Sequence, residues 1–205
     1  MADTVLLPYS ESGLVILDVS TPEKPRMAGH LPVRPPLGSE IAVHTVVPLP
    51  ERRLAIINSE ALEEHSDEPP GFTALVDISD VTRPALVSLF PAPEPPPAAP
   101  YHSFCDRGGR FGPHNQHMPS EDPNLFRSGT VCFLTYFNAG LRVYDTSDPH
   151  RVKEVAYLIC AIPPGGSGRC RRDMAVQVED VLVDARGVVY FTQKNSGLYV
   201  ARWNG

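Results

Sequence analysis

The feature that most constrains the fold of this chain is a short motif that occurs three times. Each copy is a run of β-forming residues that ends in Asp, with Ser two positions later. A fourth run, Gly197-Leu-Tyr-Val-Ala-Arg202, begins in the same way. A strand unit that recurs about every 60 residues predicts a fold of similar sheets stacked side by side. The three complete copies align without a gap: Gly13-Leu-Val-Ile-Leu-Asp18-Val-Ser20, Phe72-Thr-Ala-Leu-Val-Asp77-Ile-Ser79 and Gly140-Leu-Arg-Val-Tyr-Asp145-Thr-Ser147.

Each copy of the motif continues into a turn, and the composition shows how frequent such turns are. An Asp side chain followed by Ser accepts hydrogen bonds from nearby backbone N–H groups, and proline forbids further strand pairing. The chain has 23 prolines among 205 residues, about twice the usual ~5%. That frequency excludes a helical bundle, and 15 glycines are far too few for collagen. Apolar runs such as Leu54-Ala-Ile-Ile57 exclude a disordered chain.

The second repeat predicts four short strands in succession, which is the unit of a β-propeller blade. Two of them precede the motif strand, over 41–49 and 54–59, and one follows it over 85–90. The other repeats supply three, four and three strands by the same criteria, with the third beginning near 112–118. The fold class is therefore predicted to be all-β, a propeller of four-stranded antiparallel blades.

The motif strands resemble those of the LVIVD family of β-propellers, through Leu14-Val-Ile-Leu-Asp18, Leu75-Val-Asp77 and Leu141-Arg-Val-Tyr-Asp145. This resemblance implies one partial propeller domain over residues 1–205. It implies no single function, because propellers serve as enzymes, receptors and scaffolds. The repeats are placed approximately at 1–32, 41–91, 112–160 and 174–205, with a Pro-rich insertion over 91–101.

The expected strand count bears on assembly. Fourteen strands are half of those in a seven-bladed propeller, and about 60 residues per repeat give about 3.5 to 4 blades. We therefore expect half of a seven- or eight-bladed propeller that associates with another copy, because exposed edge strands otherwise promote aggregation. Two alternatives are a piece of a longer protein and a four-bladed ring that the terminal repeats close.

Polar residues on the innermost strands are the candidates for a metal site, because these strands face the channel of a propeller. They are His44, the pair His114 and His117, and Glu179, which aligns with His44. Such ligands suit a divalent transition metal, namely copper, iron, zinc or manganese. A core histidine held by hydrogen bonds is the alternative. A regular strand also places His114 and His117 on opposite faces, unless a neighbouring proline bends it.

Two further residues are candidates for proton transfer. Glu60 ends a buried strand beside the channel and is a candidate general base. His102 closes the Pro-rich insertion, where it is a candidate lid residue over the channel mouth. A surface carboxylate and a simple loop cap are the respective alternatives.

These candidates predict a metal-dependent propeller enzyme that acts on a small molecule, as an oxidoreductase or as a hydrolase or lyase. Selenium-binding proteins with methanethiol oxidase activity are similar at a coarse level, so copper-dependent oxidation belongs among the expectations. The alternative function is a non-catalytic binding or assembly module that holds a partner with its loops.

Charge and hydropathy restrict the partners and the compartment. A formal charge of −6 argues against a nucleic-acid surface. No apolar stretch approaches the roughly 20 residues of a membrane span, and the N-terminus lacks the features of a signal peptide. We therefore expect no membrane partner and a cytoplasmic location. Cys160 and Cys170 flank a loop and are candidates for a disulfide in an oxidising compartment, with reduced thiols as the default expectation.

Overall fold

A computed structural model of the chain describes residues 3–34, 37, 39–64, 67–161 and 175–205. The described part is all-β, with thirteen strands and two short 3₁₀ turns, Pro50–Arg52 and Phe104–Arg107. The strands are β1 (Thr4–Pro8), β2 (Leu14–Asp18), β3 (Arg26–Leu31), β4 (Ile41–Leu49), β5 (Leu54–Glu60), β6 (Thr73–Asp77), β7 (Ala85–Leu89), β8 (Val131–Thr135), β9 (Leu141–Asp145), β10 (Lys153–Leu158), β11 (Val178–Val183), β12 (Val188–Gln193) and β13 (Gly197–Arg202).

The strands form four antiparallel sheets in which each strand pairs with its neighbour in sequence. We call them sheet I (β1–β3), sheet II (β4–β7), sheet III (β8–β10) and sheet IV (β11–β13). The repeated motif strands are β2, β6, β9 and β13, one in each sheet. This confirms the all-β class, and the four sheets are consistent with the blades of a partial propeller.

The Asp of each complete motif forms the predicted turn. The Oδ1 atoms of Asp18, Asp77 and Asp145 accept hydrogen bonds of 2.8–2.9 Å from the backbone N–H of the Ser two residues later. These backbone hydrogen bonds stabilise the charged carboxylates and hold the pKa of each Asp below its usual value. The three complete motif strands β2, β6 and β9 therefore end in the same local structure.

Successive sheets pack face to face, with an apolar core between each pair. Ile16 of sheet I packs in one core with Ile57 and Val76 of sheet II. A second core joins sheets II and III, and a third joins sheets III and IV. Complete burial of one such large apolar side chain stabilises the fold by about 1.5–3 kcal/mol. Strand β1 lies beside β4, and β8 lies beside β11, so the first strands of these sheets share an inner edge.

Sheet III has three strands, and the four-stranded prediction for this repeat was wrong. The segment near 112–118 runs along β8, where the backbone N–H groups of His114 and His117 donate to Thr135 and Phe133. These donors are three residues apart, whereas a regular strand directs every second N–H to the same neighbour. Pro113 has no N–H to contribute, so the segment forms an irregular inner edge. The described residues accordingly hold thirteen strands instead of the expected fourteen.

Two other expectations concern the membrane and the cysteines. Within the described ranges, no helix combines the length and apolar character that crossing a membrane requires. Cys160 is buried, whereas Cys170 lies outside the described residues, so their pairing stays a prediction.

Two equivalent glycines give a matched test of the sheet structure. Gly140 has φ +90°, and a Cβ there would lie 2.2 Å from the carbonyl oxygen of Leu158 in the next strand. Gly197 has the same φ, and no atom lies within 4 Å of its Cβ position. We expect Gly197→Ala to lower the free energy of unfolding by about 1–2 kcal/mol, the cost of a left-handed conformation. Gly140→Ala should cost about 1–3 kcal/mol more because of the clash.

Urea unfolding of both variants measures this difference. Equal losses of stability would contradict the close approach of β9 and β10 at this position.

Candidate metal centre

Three side chains from three segments meet at the inner edge of the sheets. His44 comes from β4, Glu60 ends β5, and His114 lies on the irregular segment beside β8. One potential ligand atom from each residue lies within 4.8 Å of the other two. Glu60 Oε2 is 3.3 Å from His44 Nε2, and Glu60 Oε1 is 3.5 Å from His114 Nε2. A single carboxylate therefore contacts both imidazoles.

An irregularity in β4 brings His44 to Glu60. Strands β4 and β5 pair through Ile41 with Glu60 and through Thr45 with Asn58, and the register shifts between these pairs. The shift places additional β4 residues opposite a shorter stretch of β5. Because such bulges redirect side chains, His44 reaches the carboxylate at the end of the neighbouring strand.

Hydrogen bonds at the Nδ1 atoms orient both rings. His114 Nδ1 lies 2.7 Å from the carbonyl oxygen of Glu179, which can only accept, so this nitrogen carries the hydrogen. His44 Nδ1 lies 2.8 Å from Thr45 Oγ1, and that hydroxyl donates to the carbonyl of His114. With His44 in the tautomer that donates from Nδ1 to Thr45, both neutral rings direct an Nε2 lone pair at Glu60. Metal-binding histidines are oriented in the same way, by a hydrogen bond from the second ring nitrogen.

The environment of His44 favours its neutral form. Burial lowers the pKa of His44, and the carboxylate of Glu60 opposes this shift only in part. The neutral imidazole is also the form that binds metals.

Arg110 connects the carboxylates of the site, and the sequence analysis missed it. Its Nη1 lies 3.1 Å from Glu60 Oε1, and its Nη2 lies 3.1 Å from Glu179 Oε1. Its Nε donates to the side chain of Gln177, the residue before β11. Arg110 belongs to an irregular loop, where no periodic pattern distinguishes one arginine from another. With neutral imidazoles, two carboxylates against one guanidinium leave the group with one net negative charge, which favours a cation.

The ring of Phe137 packs against two residues of the site. It stacks on His114 with centroids 4.9 Å apart, and the guanidinium carbon of Arg110 lies 3.8 Å from its centroid. The ring of His114 also stacks on that of His44, again at 4.9 Å. The three rings and the guanidinium thus form a continuous stack, in which cation–π attraction adds to the ion pairs.

The backbone of Phe137 is strained, with φ +31° in the left-handed region. In this turn between β8 and β9, Phe137 and Gly140 are the residues with left-handed backbone. Asn138 is buried, and its side-chain amide donates to the carbonyls of Phe104 and Gly108. Left-handed backbone at a bulky residue costs about 1–3 kcal/mol and is typical of functional sites.

The structure brings together some of the predicted site residues. Glu179 joins the group, but its Oε2 lies 3.5 Å from His114 Nδ1, the ring nitrogen that does not face Glu60. His117 is not brought in: its Nε2 donates to the carbonyl of Phe126, and its Nδ1 accepts from the backbone of Val183. His102 is exposed before the second 3₁₀ turn. Neither His102 nor His117 belongs to the group around Glu60.

A cavity of about 520 Å³ lies at the opposite end of β4, between the β4–β5 connection and residues 119–129. Pro48, Arg52, Glu121 and Arg127 are among the residues that line it. It does not include the histidines, so the candidate metal centre is a cluster of side chains at an edge, separate from this cavity.

The role of Arg110 can be tested by unfolding. Arg110→Ala leaves two partly buried carboxylates without their counter-charge, so we expect a loss of about 2–4 kcal/mol in the free energy of unfolding. Arg127 pairs with Glu121 in an exposed ion pair, and Arg127→Ala should cost less than about 1 kcal/mol. Chemical denaturation compares the two variants, and similar losses would show that Arg110 has no special structural role.

The comparison with known families concerns the first motif. Residues 9–31 match the family model of the LVIVD repeat, and this segment contains β2 and β3. No curated protein matches the chain. The coarse similarity to selenium-binding proteins stays a prediction. The match confirms the resemblance seen in Leu14-Val-Ile-Leu-Asp18, and this chain carries the LVIVD repeat.

Proposed function

We propose that the chain binds a divalent transition metal through His44, Glu60 and His114, and that the bound metal serves chemistry on a small molecule. The observation that carries this proposal is the position of the two Nε2 atoms, which lie 3.3 and 3.5 Å from the oxygens of one carboxylate. Without a cation, a lone pair that faces a carboxylate is repelled by it. A metal ion bound by His44, Glu60 and His114 would convert this repulsion into coordination.

The spacing of the ligand atoms supports the proposal. Four tetrahedral ligands at the ~2.0–2.1 Å of zinc sites lie about 3.3–3.4 Å from one another. The contacts from Glu60 oxygens to the two histidine nitrogens are 3.3 and 3.5 Å. These two contacts already have the spacing of neighbouring ligands, although each uses a different oxygen of Glu60, and one ligand atom from each of the three residues lies within 4.8 Å of the other two.

The ligand set supports a catalytic rather than a structural metal. Two histidines and one glutamate provide three ligands, and catalytic zinc sites with this set keep a fourth position for water or substrate. Imidazole ligands suit copper, iron and zinc, and carboxylate suits manganese. Bound copper or iron would favour oxidoreductase chemistry, whereas zinc would favour hydrolase or lyase chemistry.

The neighbouring residues have supporting roles in this proposal. Glu179 orients His114 through its backbone carbonyl, and Arg110 holds the side chains of Glu60 and Glu179 in place. In this arrangement Glu60 acts as a ligand instead of the predicted general base. Glu179 is a second carboxylate beside the centre that can exchange a proton, and His102 stays a prediction as a proton-transfer residue.

Metal binding is tested with protein purified without an affinity tag, loaded with each metal, desalted and analysed by mass spectrometry for metals. We expect about one ion per chain. His44→Ala and His114→Ala should each weaken binding by more than the ~10–100-fold that follows loss of a supporting residue. His150→Ala is the control, because His150 is exposed in the turn after β9.

Two results would overturn the proposal. One is a wild-type protein that retains no stoichiometric metal, and the other is retention that His44→Ala and His114→Ala leave unchanged.

The open coordination position is tested separately, by adding azide to the Co²⁺-loaded protein. If a position is open, azide binds the metal and shifts the visible absorption bands of Co²⁺. Metal-free protein with azide is the control for unspecific changes. An unchanged Co²⁺ spectrum would contradict the catalytic part of the proposal and favour the non-catalytic binding or assembly module.

A further inference from the structure

The last sheet of the described chain leaves one apolar face uncovered. The strand registers place Leu182, Tyr190 and Val200 side by side across β11, β12 and β13, with Leu198 next to them. Val200 is 62% exposed and Leu198 is 64% exposed. The opposite face of the sheet carries Phe191 and packs in the core shared with sheet III. Among the described residues, sheet IV is therefore covered on one side only.

In sheets I, II and III, the face equivalent to this one is covered by the following sheet. Val200 occupies the position in β13 that Ile16, Leu75 and Val143 occupy in β2, β6 and β9. These three residues are at most 4% exposed, because each packs against the following sheet. Within the described residues, no sheet follows sheet IV to cover Val200.

The first sheet has the opposite face uncovered. Val5, Leu17 and Met27 are side by side across β1, β2 and β3, and Met27 is 68% exposed. Leu17 occupies the position of Val76 in β6 and Tyr144 in β9, which are buried in the cores shared with the preceding sheet. Sheet I thus exposes the face that, in sheets II and III, packs against the preceding sheet.

Within the chain, three interfaces form between successive sheets, each from the rear face of one sheet and the front face of the next. The uncovered face of sheet IV is equivalent to the first of these, and the uncovered face of sheet I is equivalent to the second. We propose that a second copy of the chain covers them, with sheet IV of each copy packed on sheet I of its partner about a two-fold axis. Such a pair contains two identical interfaces and leaves neither face open, which is the closure expected of a cyclic dimer. Two sets of four sheets complete a ring of eight blades.

The dimer is independent of the proposed metal function. His44, Glu60 and His114 all come from one chain, and none of them lies on the uncovered faces. Each ring therefore contains two complete metal centres, and loss of dimerisation leaves the ligands of each centre in place. Failure of either proposal is recognised without reference to the other.

The mass of the full chain in solution tests the proposal, measured by light scattering after size-exclusion chromatography. We expect a dimer for the wild type. Val200→Glu and Met27→Glu each place a charge in the apolar interface, which should weaken association by at least on the order of 100-fold and yield monomers. Leu89→Glu is the matched control: Leu89 is a 52% exposed apolar residue on β7, outside both faces, and this variant should stay dimeric.

Circular dichroism and the midpoint of urea unfolding establish that each variant is folded, and Leu198→Glu replaces Val200→Glu if that variant unfolds. A wild-type monomer at all concentrations tested would overturn the proposal. Oligomers that grow with concentration would also overturn it, because the faces would then meet without closing. A dimer that persists in both Val200→Glu and Met27→Glu would place the interface elsewhere.

Discussion

The packing of one sheet face on the next is the interaction on which the rest of this structure depends. A short antiparallel sheet with apolar residues on both faces is unstable alone, because each face loses its stabilisation when it is exposed to water. Sheet II shows how both faces of one sheet become buried: in β5, Ile57 packs towards sheet I and Ile56 towards sheet III. Alternation along a single strand therefore joins three sheets. The same alternation explains why the terminal sheets keep one apolar face each.

This packing also determines where polar chemistry can lie. The faces of the sheets are occupied by apolar cores, so polar side chains collect at the inner edge, where the first strands of neighbouring sheets meet. The residues that form the site come from the less regular parts of that edge, namely the register shift in β4 and the segment beside β8. Regular strands provide stability, and the irregular backbone directs His44 and His114 to one carboxylate. The strained Phe137 belongs to the same pattern, since its ring supports His114 and Arg110.

Part of the site was predictable from sequence. Aligning the repeats placed His44 and Glu179 on equivalent inner strands, and Glu60 was recognised at the end of a buried strand beside them. The structure brings these residues together with His114. Two features were beyond sequence reasoning. His117, three residues after His114, has both ring nitrogens bonded to backbone, and Arg110 reaches the site from a loop whose path no periodicity describes.

The sequence by itself determined the elements and their faces: motif strands that end in an Asp turn, apolar residues that alternate along them, and histidines on the segments that precede them. These are local properties, set by side-chain polarity, proline and the two-residue period of a strand. Only the tertiary structure decided which side chains meet, because that depends on shifts in register and on the course of loops. It directs two Nε2 atoms at Glu60, places Arg110 between two carboxylates and leaves Val200 uncovered while its equivalents are buried.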